Sequence, residues 1–269
     1  MDATRFVANV RLAWVHRGRF RDFLARLLLA YSSRVPARFR KAEHVITFRY
    51  PPPTGMVTLR IRDGSDYFIV GEVFEHNYYC LPLHRAPRTI LDLGANVGYT
   101  AIWFGRLFPG ARIACVEPVS ENVRLLQRNL LENGVEARVM PFAVGIADGR
   151  AEMLIVSQHY GHHLATAEPE LVASAGETRE VVEVRSMRTL MDELGWPEID
   201  LLKMDIEGSE RVLLTEESDW LWRINALCVE WHHDWAREAM TSIAEKYGFE
   251  KPRQLPGIWF LERRREEGP

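Results

Sequence analysis

The sequence predicts an α/β fold, a parallel β-sheet with helices on both faces. Three observations predict it. From residue 88 onward, short apolar segments alternate with amphipathic ones across short connections, the pattern of right-handed βαβ units. The first of these strands runs into Asp92-Leu93-Gly94-Ala95-Asn96-Val97-Gly98, a glycine-bearing turn that opens a helix. The composition, 47% apolar and 26% charged over 269 residues, is that of an ordinary folded protein and excludes a disordered, collagen-like or coiled-coil chain. That length suits one large domain, or one domain with an appendage.

The appendage is expected at residues 1–42, ahead of a domain over 43–269. Residues 1–41 hold ten basic side chains against two acidic ones, a net +8, so the remainder carries −11. Phe6, Val10, Trp14, Phe20, Phe23, Leu24, Leu27 and Leu28 recur there at helical spacing. The arm reads as basic amphipathic helices that pack on the body or a second subunit to form a homo-oligomer. The alternative is contact with a membrane surface or an anionic substrate. A whole-chain charge of −3 argues against a nucleic-acid binder. No apolar run is long enough to span a membrane, and arginines interrupt any secretory h-region. Cys80, Cys115 and Cys228 form no CxxC pair, which argues against a disulfide scaffold or cysteine zinc site and suggests a reducing, cytoplasmic setting.

The elements follow in order. Val45–Arg49 and Met56–Ile61 read as strands, with Pro51-Pro52-Pro53 breaking the chain between them. Asp63-Gly64 is expected to turn the second into a further strand at Tyr67–Val70. Thr89–Leu93, Ala111–Val116 and Ala137–Val144 are three buried strands. Tyr99–Leu107 and a helix from Ser120 to Leu131, closed by Asn133-Gly134, connect them. Asp148-Gly149 leads to a hairpin strand at Glu152–Val156. Residues 157–179 are polar and read as a loop. Glu180–Val184 is a strand and Met187–Leu194 a helix. Ile199–Met204, Ser209–Leu214, Ile224–Glu230 and Asp234–Tyr247 continue the strand–helix alternation. Phe249–Gln254 and Ile258–Glu262 can pair antiparallel at the end.

The strand-to-helix turn at residues 92–98 sits at the carboxyl edge of a parallel sheet, where open α/β folds bind ligands. Gly94 and Gly98 remove side chains where a ligand meets backbone. Glu117 ends the next strand, nineteen residues after Gly98, at the distance of an acid that accepts from both ribose hydroxyls of a nucleoside. A dinucleotide site wants G-x-G-x-x-G with its turn open to pyrophosphate; here the glycines are spaced G-x-x-x-G and an acid, Asp92, stands at the strand tip. S-adenosylmethionine carries a sulfonium, an ammonium and a carboxylate but no phosphate, and so suits the pattern. The plain alternative is that the glycines serve turns and Asp92 a cap.

ILDLGANVGYTAIWF, ACVEPVSENVRLLQRNL and DLLKMDIEGSE, within residues 70–262, resemble the FkbM family of S-adenosylmethionine-dependent methyltransferases. The resemblance implies a class I methyltransferase (Rossmann-like) fold, a seven-stranded mixed sheet with helices on both faces, and methyl transfer to a hydroxyl oxygen. It implies that Asp92, Gly94, Asn96 and Gly98 line the methionine end and Glu117 holds the ribose. Phe142 and Ala143 would flank the adenine, although the acid that class I enzymes often place there is missing. Residues 71–78 resemble the family's segment ahead of the first motif, so that Glu75 and Tyr78 would close over the cofactor.

An aliphatic alcohol is a poor nucleophile and calls for a general base. Asp205 follows the strand Ile199–Met204 and can point at the methyl acceptor or cap the helix at Ser209. His232 titrates near neutrality and is its expected acid–base partner, or else a rim histidine. Glu207 and Glu230 are expected on the substrate side, with His162 or His163 from the long loop. Glu207 and Glu210 also suit a helix N-terminus. Asp205, Glu230 and His232 have a competing use, holding a magnesium or transition ion against a vicinal diol; no H-x-x-x-H or H-E-x-x-H spacing supports zinc. Lys203, inside an apolar strand, is expected to meet a carboxylate. The function expected is S-adenosylmethionine-dependent O-methylation of a small-molecule natural product or glycan. A non-catalytic binder of the same cofactor and an NAD-dependent oxidoreductase are the alternatives.

Overall fold

In a computed structural model, residues 43–155, 163–164, 178–216, 218–231 and 236–264 are described. The basic arm, His162, His232 and most of the long loop after the third strand lie outside them. His163 is described in its backbone alone.

The chain enters with β1 (His44–Arg49) and β2 (Met56–Ile61), which pair antiparallel across the Pro51–Gly55 turn. The proline run is therefore the turn of this hairpin. The expected strand at Tyr67–Val70 is instead α1 (Gly64–Val70), which runs into a single π turn over Gly71–Glu75. Asp63 decides this: its carboxylate accepts from the Ser65 N–H at 2.8 Å and caps the helix. A short apolar run such as Tyr67–Val70 fits a strand or a buried helix equally by periodicity, and the cap selects the helix.

Five parallel strands form the body of the main sheet: β3 (Thr89–Leu93), β4 (Arg112–Val116), β5 (Ala137–Met140), β10 (Ile199–Met204) and β11 (Ile224–Val229). With β12 (Arg253–Leu255) and β13 (Ile258–Glu262), paired antiparallel, the order is β12-β13-β11-β10-β3-β4-β5. This is the expected seven-stranded mixed sheet of the class I, Rossmann-like fold. Helices α2 (Tyr99–Leu107) and α3 (Ser120–Asn133) cover one face with the hairpin; α4 (Met187–Leu194), α5 (Glu210–Thr215) and α6 (Ala236–Tyr247) cover the other. Strand parity sorts the side chains: Ile90, Ile113 and Leu201 point to the first face, and Leu91, Ala114 and Leu202 to the second. Each such leucine or isoleucine side chain stabilises the fold by roughly 1.5–3 kcal/mol on burial.

The expected single strand Ala137–Val144 is two. Pro141 lacks the N–H that a ladder needs, so the chain leaves the main sheet there. It restarts as β6 (Ala143–Gly145) in a second sheet with β7 (Gly149–Ile155), β8 (His163–Leu164) and β9 (Thr178–Ser186), in the order β6-β9-β7-β8.

Two asparagines one turn apart on α3 dock the hairpin. Asn133 accepts from the Thr58 N–H at 2.9 Å and donates to the Thr58 carbonyl at 2.7 Å; Asn129 accepts from the Arg60 N–H at 2.8 Å and donates to Val97 O at 2.8 Å. The edge of β2 is thus satisfied by side chains in place of another strand. Asn133→Leu strands the half-buried N–H and C=O of Thr58 and is expected to cost about 1 kcal/mol. An unchanged thermal midpoint would refute that bonding.

Candidate active site

The carboxyl tips of β11, β10, β3 and β4 are tied side by side. Glu230 N–H donates to Met204 O, Asp205 N–H to Leu93 O, and the Gly94 and Ala95 N–H groups to Val116 O. The row Glu230, Asp205, the Gly94 loop, Glu117 therefore follows the order of the strands. Its centre, β3, has β4 on one side and β10 on the other, the topological switch point where open α/β sheets bind ligands.

The loop at residues 94–98 is held by what it touches. Gly94 (φ +75°) lies so close to its neighbour that a Cβ there would stand 1.7 Å from the Asp205 carbonyl oxygen. This glycine lets two strand-tip loops meet. Asn96 takes φ 47°, in the left-handed region that Asn tolerates. Gly98 (φ +88°) starts α2 against Leu126 of α3. The loop spends its own amides internally: Asn96 N–H donates to Glu117 Oε2 at 2.9 Å and Gly98 N–H to Ala95 O at 2.8 Å. With Gly94 and Ala95 bonded to Val116, four amides of the loop bond within the protein.

Glu117 is buried and accepts three hydrogen bonds, from the amides of Asn96 and Val119, each at 2.9 Å, and from Asn122 Nδ2 at 3.2 Å. Burial pushes its carboxyl up, and these donors oppose the shift.

Asp92 is 0% exposed, and Lys203 stands opposite it in the β3–β10 register. Lys203 Nζ lies 3.1 Å from Asp92 Oδ1 and 3.4 Å from Asp205 Oδ2, and donates to the Gly94 carbonyl at 2.8 Å. The expected partner of Lys203 is therefore found twice. Neither Asp92 oxygen receives a hydrogen bond from another described residue. Burial pushes the Asp92 carboxyl up against the pull of Lys203. For Lys203 burial works against the charge, yet Asp92 and Asp205 outweigh it and raise its pKa. The asymmetry is physical: the ammonium faces several carboxylates, the buried carboxylate one ammonium. The same register places Cys115 beside Asp92 and Cys228 beside Lys203, so two buried thiols flank the ion pair.

Asp205 is half-buried at the strand tip. Desolvation raises its pKa well above the usual carboxylate range; Lys203 opposes this, and Glu230, Glu207 and Glu210 reinforce it. Asp205 does not cap α5. Glu210 does the local work, accepting from the Ile206 and Gly208 amides at 2.7 and 2.8 Å, and so fixes the turn in which Glu207 takes φ 48°. Sequence reasoning assigned Glu210 to the helix dipole; its backbone clamp shows only in three dimensions.

Of the segment expected to close over the cofactor, Glu75 ends the π turn, half-buried, and Tyr78 packs over Gly257, where a Cβ would stand 2.6 Å from the ring. Tyr79, 5% exposed, packs in the first-face core against Phe104 with its ring 6.0 Å from Lys203 Nζ, and burial, then Asp205 and Glu230, raise its pKa. Sequence reasoning passed over Tyr79, which directly follows the 71–78 segment. Phe142 is 3% exposed, packed in the second-face core beneath the Arg185 guanidinium 4.8 Å away, and Ala143 packs with Val119 in the second sheet. Among the described residues no group of three His, Cys, Asp or Glu side chains is placed to hold a metal. The set Asp205–Glu230–His232 includes a residue outside them.

Residues 92–251, more than half of the chain, match the family described as the methyltransferase FkbM domain. The chain belongs to the FkbM methyltransferase family. The matched region starts at the buried Asp92 and takes in every strand tip of the crevice. Among relatives, the 31-O-demethyl-FK506 methyltransferase FkbM of Streptomyces tacrolimicus is 26% identical over 228 residues, covering 73% of this chain and 86% of its own. The methyltransferase sdnD of Sordaria araneosa is 25% identical over 211 residues, covering 68% and 82%. The crystal structure of methyltransferase FkbM from Methylobacillus flagellatus KT aligns with a TM-score of 0.42 at 15% identity, over 97% of this chain and 60% of that one.

Proposed function

We propose that this FkbM-family chain transfers a methyl group from S-adenosylmethionine to a hydroxyl oxygen of a small-molecule natural product or glycan. The observation that carries the reading is the pairing of spent loop amides with a carboxylate-lined crevice. A pyrophosphate needs free amides at the loop, as dinucleotide sites provide. Here Gly94, Ala95, Asn96 and Gly98 bond within the protein while Glu117, Asp205 and Glu230 line the edge. That balance favours a cationic, phosphate-free nucleoside over NAD. The family membership and a relative named for acting on an O-demethyl substrate support methyl transfer to oxygen.

S-adenosylmethionine supplies an electrophilic methyl on its sulfonium. In this reading Gly94 and Asn96 border its amino-acid end. Asp92 acts on that end through Lys203, which holds the Gly94 carbonyl in place. A carboxylate offers about four acceptor positions, and three at Glu117 are used by the protein, leaving capacity for a ribose hydroxyl. Phe142 and Ala143 stiffen the adenine side. Glu75 and Tyr78 close over the cofactor. Asp205, with its raised pKa, takes the proton of the acceptor hydroxyl; His232 assists it. Glu207, Glu230 and the loop histidines His162 and His163 contact the acceptor. Alignment of oxygen and methyl carbon supplies the rest of the rate.

Calorimetry tests the reading directly. S-adenosylhomocysteine is expected to bind one site per chain, and NAD to give no heat above dilution. Binding of NAD with none of S-adenosylhomocysteine would overturn it.

A further inference from the structure

The acid assigned to the ribose is not held by residues of the family match alone. Asn122 of α3 donates through Nδ2 to Glu117 Oε1 at 3.2 Å, and its Oδ1 accepts from Arg62 NH1 at 2.8 Å. Arg62 follows β2, and its other nitrogens bind Asp66 of α1: Nε to Oδ2 at 2.9 Å and NH2 to Oδ1 at 2.8 Å, a bidentate pair. The backbone N–H of Arg62 donates to Asp66 Oδ2 as well, at 2.8 Å. Arg62, Asp66, Asn122 and Glu117 are 7%, 0%, 1% and 5% exposed, so the chain of bonds is shielded from water end to end.

Each link has a direction. An amide side chain can rotate to present oxygen or nitrogen, and at Asn122 the choice is forced. Arg62 has donors alone, so it takes the oxygen of Asn122 and leaves the nitrogen for the Glu117 carboxylate. Asp66 in turn fixes the guanidinium plane. A buried arginine that lacked this carboxylate would be costly, and one that lacked Asn122 would keep an unsatisfied donor. Residues 62 and 66 lie ahead of the family match, which starts at residue 92.

We infer that Arg62, fixed by Asp66, is a positioning residue for cofactor binding: it orients Asn122, which holds Glu117 in the geometry that receives the nucleoside ribose. The inference rests on the reading of Glu117 as the ribose acid. It makes the hairpin and α1 part of the cofactor site, coupled to it through three buried side chains and no direct contact.

The test is a double-mutant cycle on S-adenosylhomocysteine affinity, read by calorimetry, with Arg62→Met, Glu117→Gln and the pair, and thermal midpoints of the ligand-free proteins alongside. Hydrogen bonds to charged groups support an expected loss of about 10- to 100-fold for Glu117→Gln. Arg62→Met is expected to weaken binding about 5- to 10-fold in the wild-type background and less than twofold in the Glu117→Gln background, because its effect passes through Glu117. Equal losses in both backgrounds would show a merely structural role and overturn the inference. So would wild-type affinity in Arg62→Met beside a weak Glu117→Gln. Wild-type affinity in Glu117→Gln would instead overturn the ribose reading itself. If Arg62→Met does not fold, Asn122→Ala runs the same cycle with the Arg62–Asp66 pair left in place, and the same outcomes decide.

Discussion

Lys203→Met is expected to lower stability by about 3–5 kcal/mol, the range found when one partner of a buried ion pair is removed. The substitution leaves Asp92, 0% exposed, without its Lys203 partner and, among the described residues, with no hydrogen-bond donor to either oxygen. It also frees the Gly94 carbonyl, which Lys203 holds at 2.8 Å. In a protein of this size the loss corresponds to a fall in thermal midpoint on the order of 10 °C. The paired variant Asp92→Leu/Lys203→Met separates the two consequences. Replacing both charges by apolar groups is often neutral for folding, so most of the stability is expected to return. Cofactor affinity is not, because nothing then fixes the Gly94 carbonyl beside Asp205. Differential scanning calorimetry and S-adenosylhomocysteine titration give the two readouts. A single variant as stable as wild type would remove the ion pair from this account. Full recovery of affinity in the double variant would remove Lys203 from the cofactor site.

Asp205→Ala is expected to lower turnover by about 10²–10⁴-fold, the usual contribution of a general base, while S-adenosylhomocysteine affinity stays within about twofold. The separation follows from position. Asp205 stands on the β10 side of the Gly94 loop, and the proposed ribose contact on the β4 side. Its carboxyl is raised above the ordinary range by burial and by Glu230, Glu207 and Glu210, which makes it a stronger base than an exposed aspartate. The measurement is S-adenosylhomocysteine release with an acceptor that the wild-type chain turns over, with His232→Ala in parallel. Normal turnover in both variants would place the base elsewhere.

Much of this architecture was legible in the sequence, for reasons that are local. The strands Thr89–Leu93, Arg112–Val116, Ile199–Met204 and Ile224–Val229 are buried on both faces, and so read as apolar runs bounded by turns. A lysine inside such a run had to meet a carboxylate, and it meets Asp92 and Asp205. The family motif lies within contiguous stretches, so the domain was readable from them. Local reading failed where two local rules competed. Tyr67–Val70 satisfied a strand pattern, and the Asp63 cap made it helical; Ala137–Val144 read as one strand, and Pro141 divided it.

The sequence by itself determined the α/β class, the strand tips that carry chemistry and the family. Those depend on spacing along the chain and on the burial of each residue type. The tertiary structure alone decided that Asp92 faces Lys203, that Gly94 is a glycine because Asp205 lies against it, and that Arg62 reaches Glu117 through Asn122. Each of these joins residues 55 to 111 positions apart or in different layers, and hydrogen bonds of that span leave no periodic trace in either partner's neighbourhood. Which acceptor each buried donor finds is fixed only when sheet register and helix packing bring them within 3 Å or so of one another.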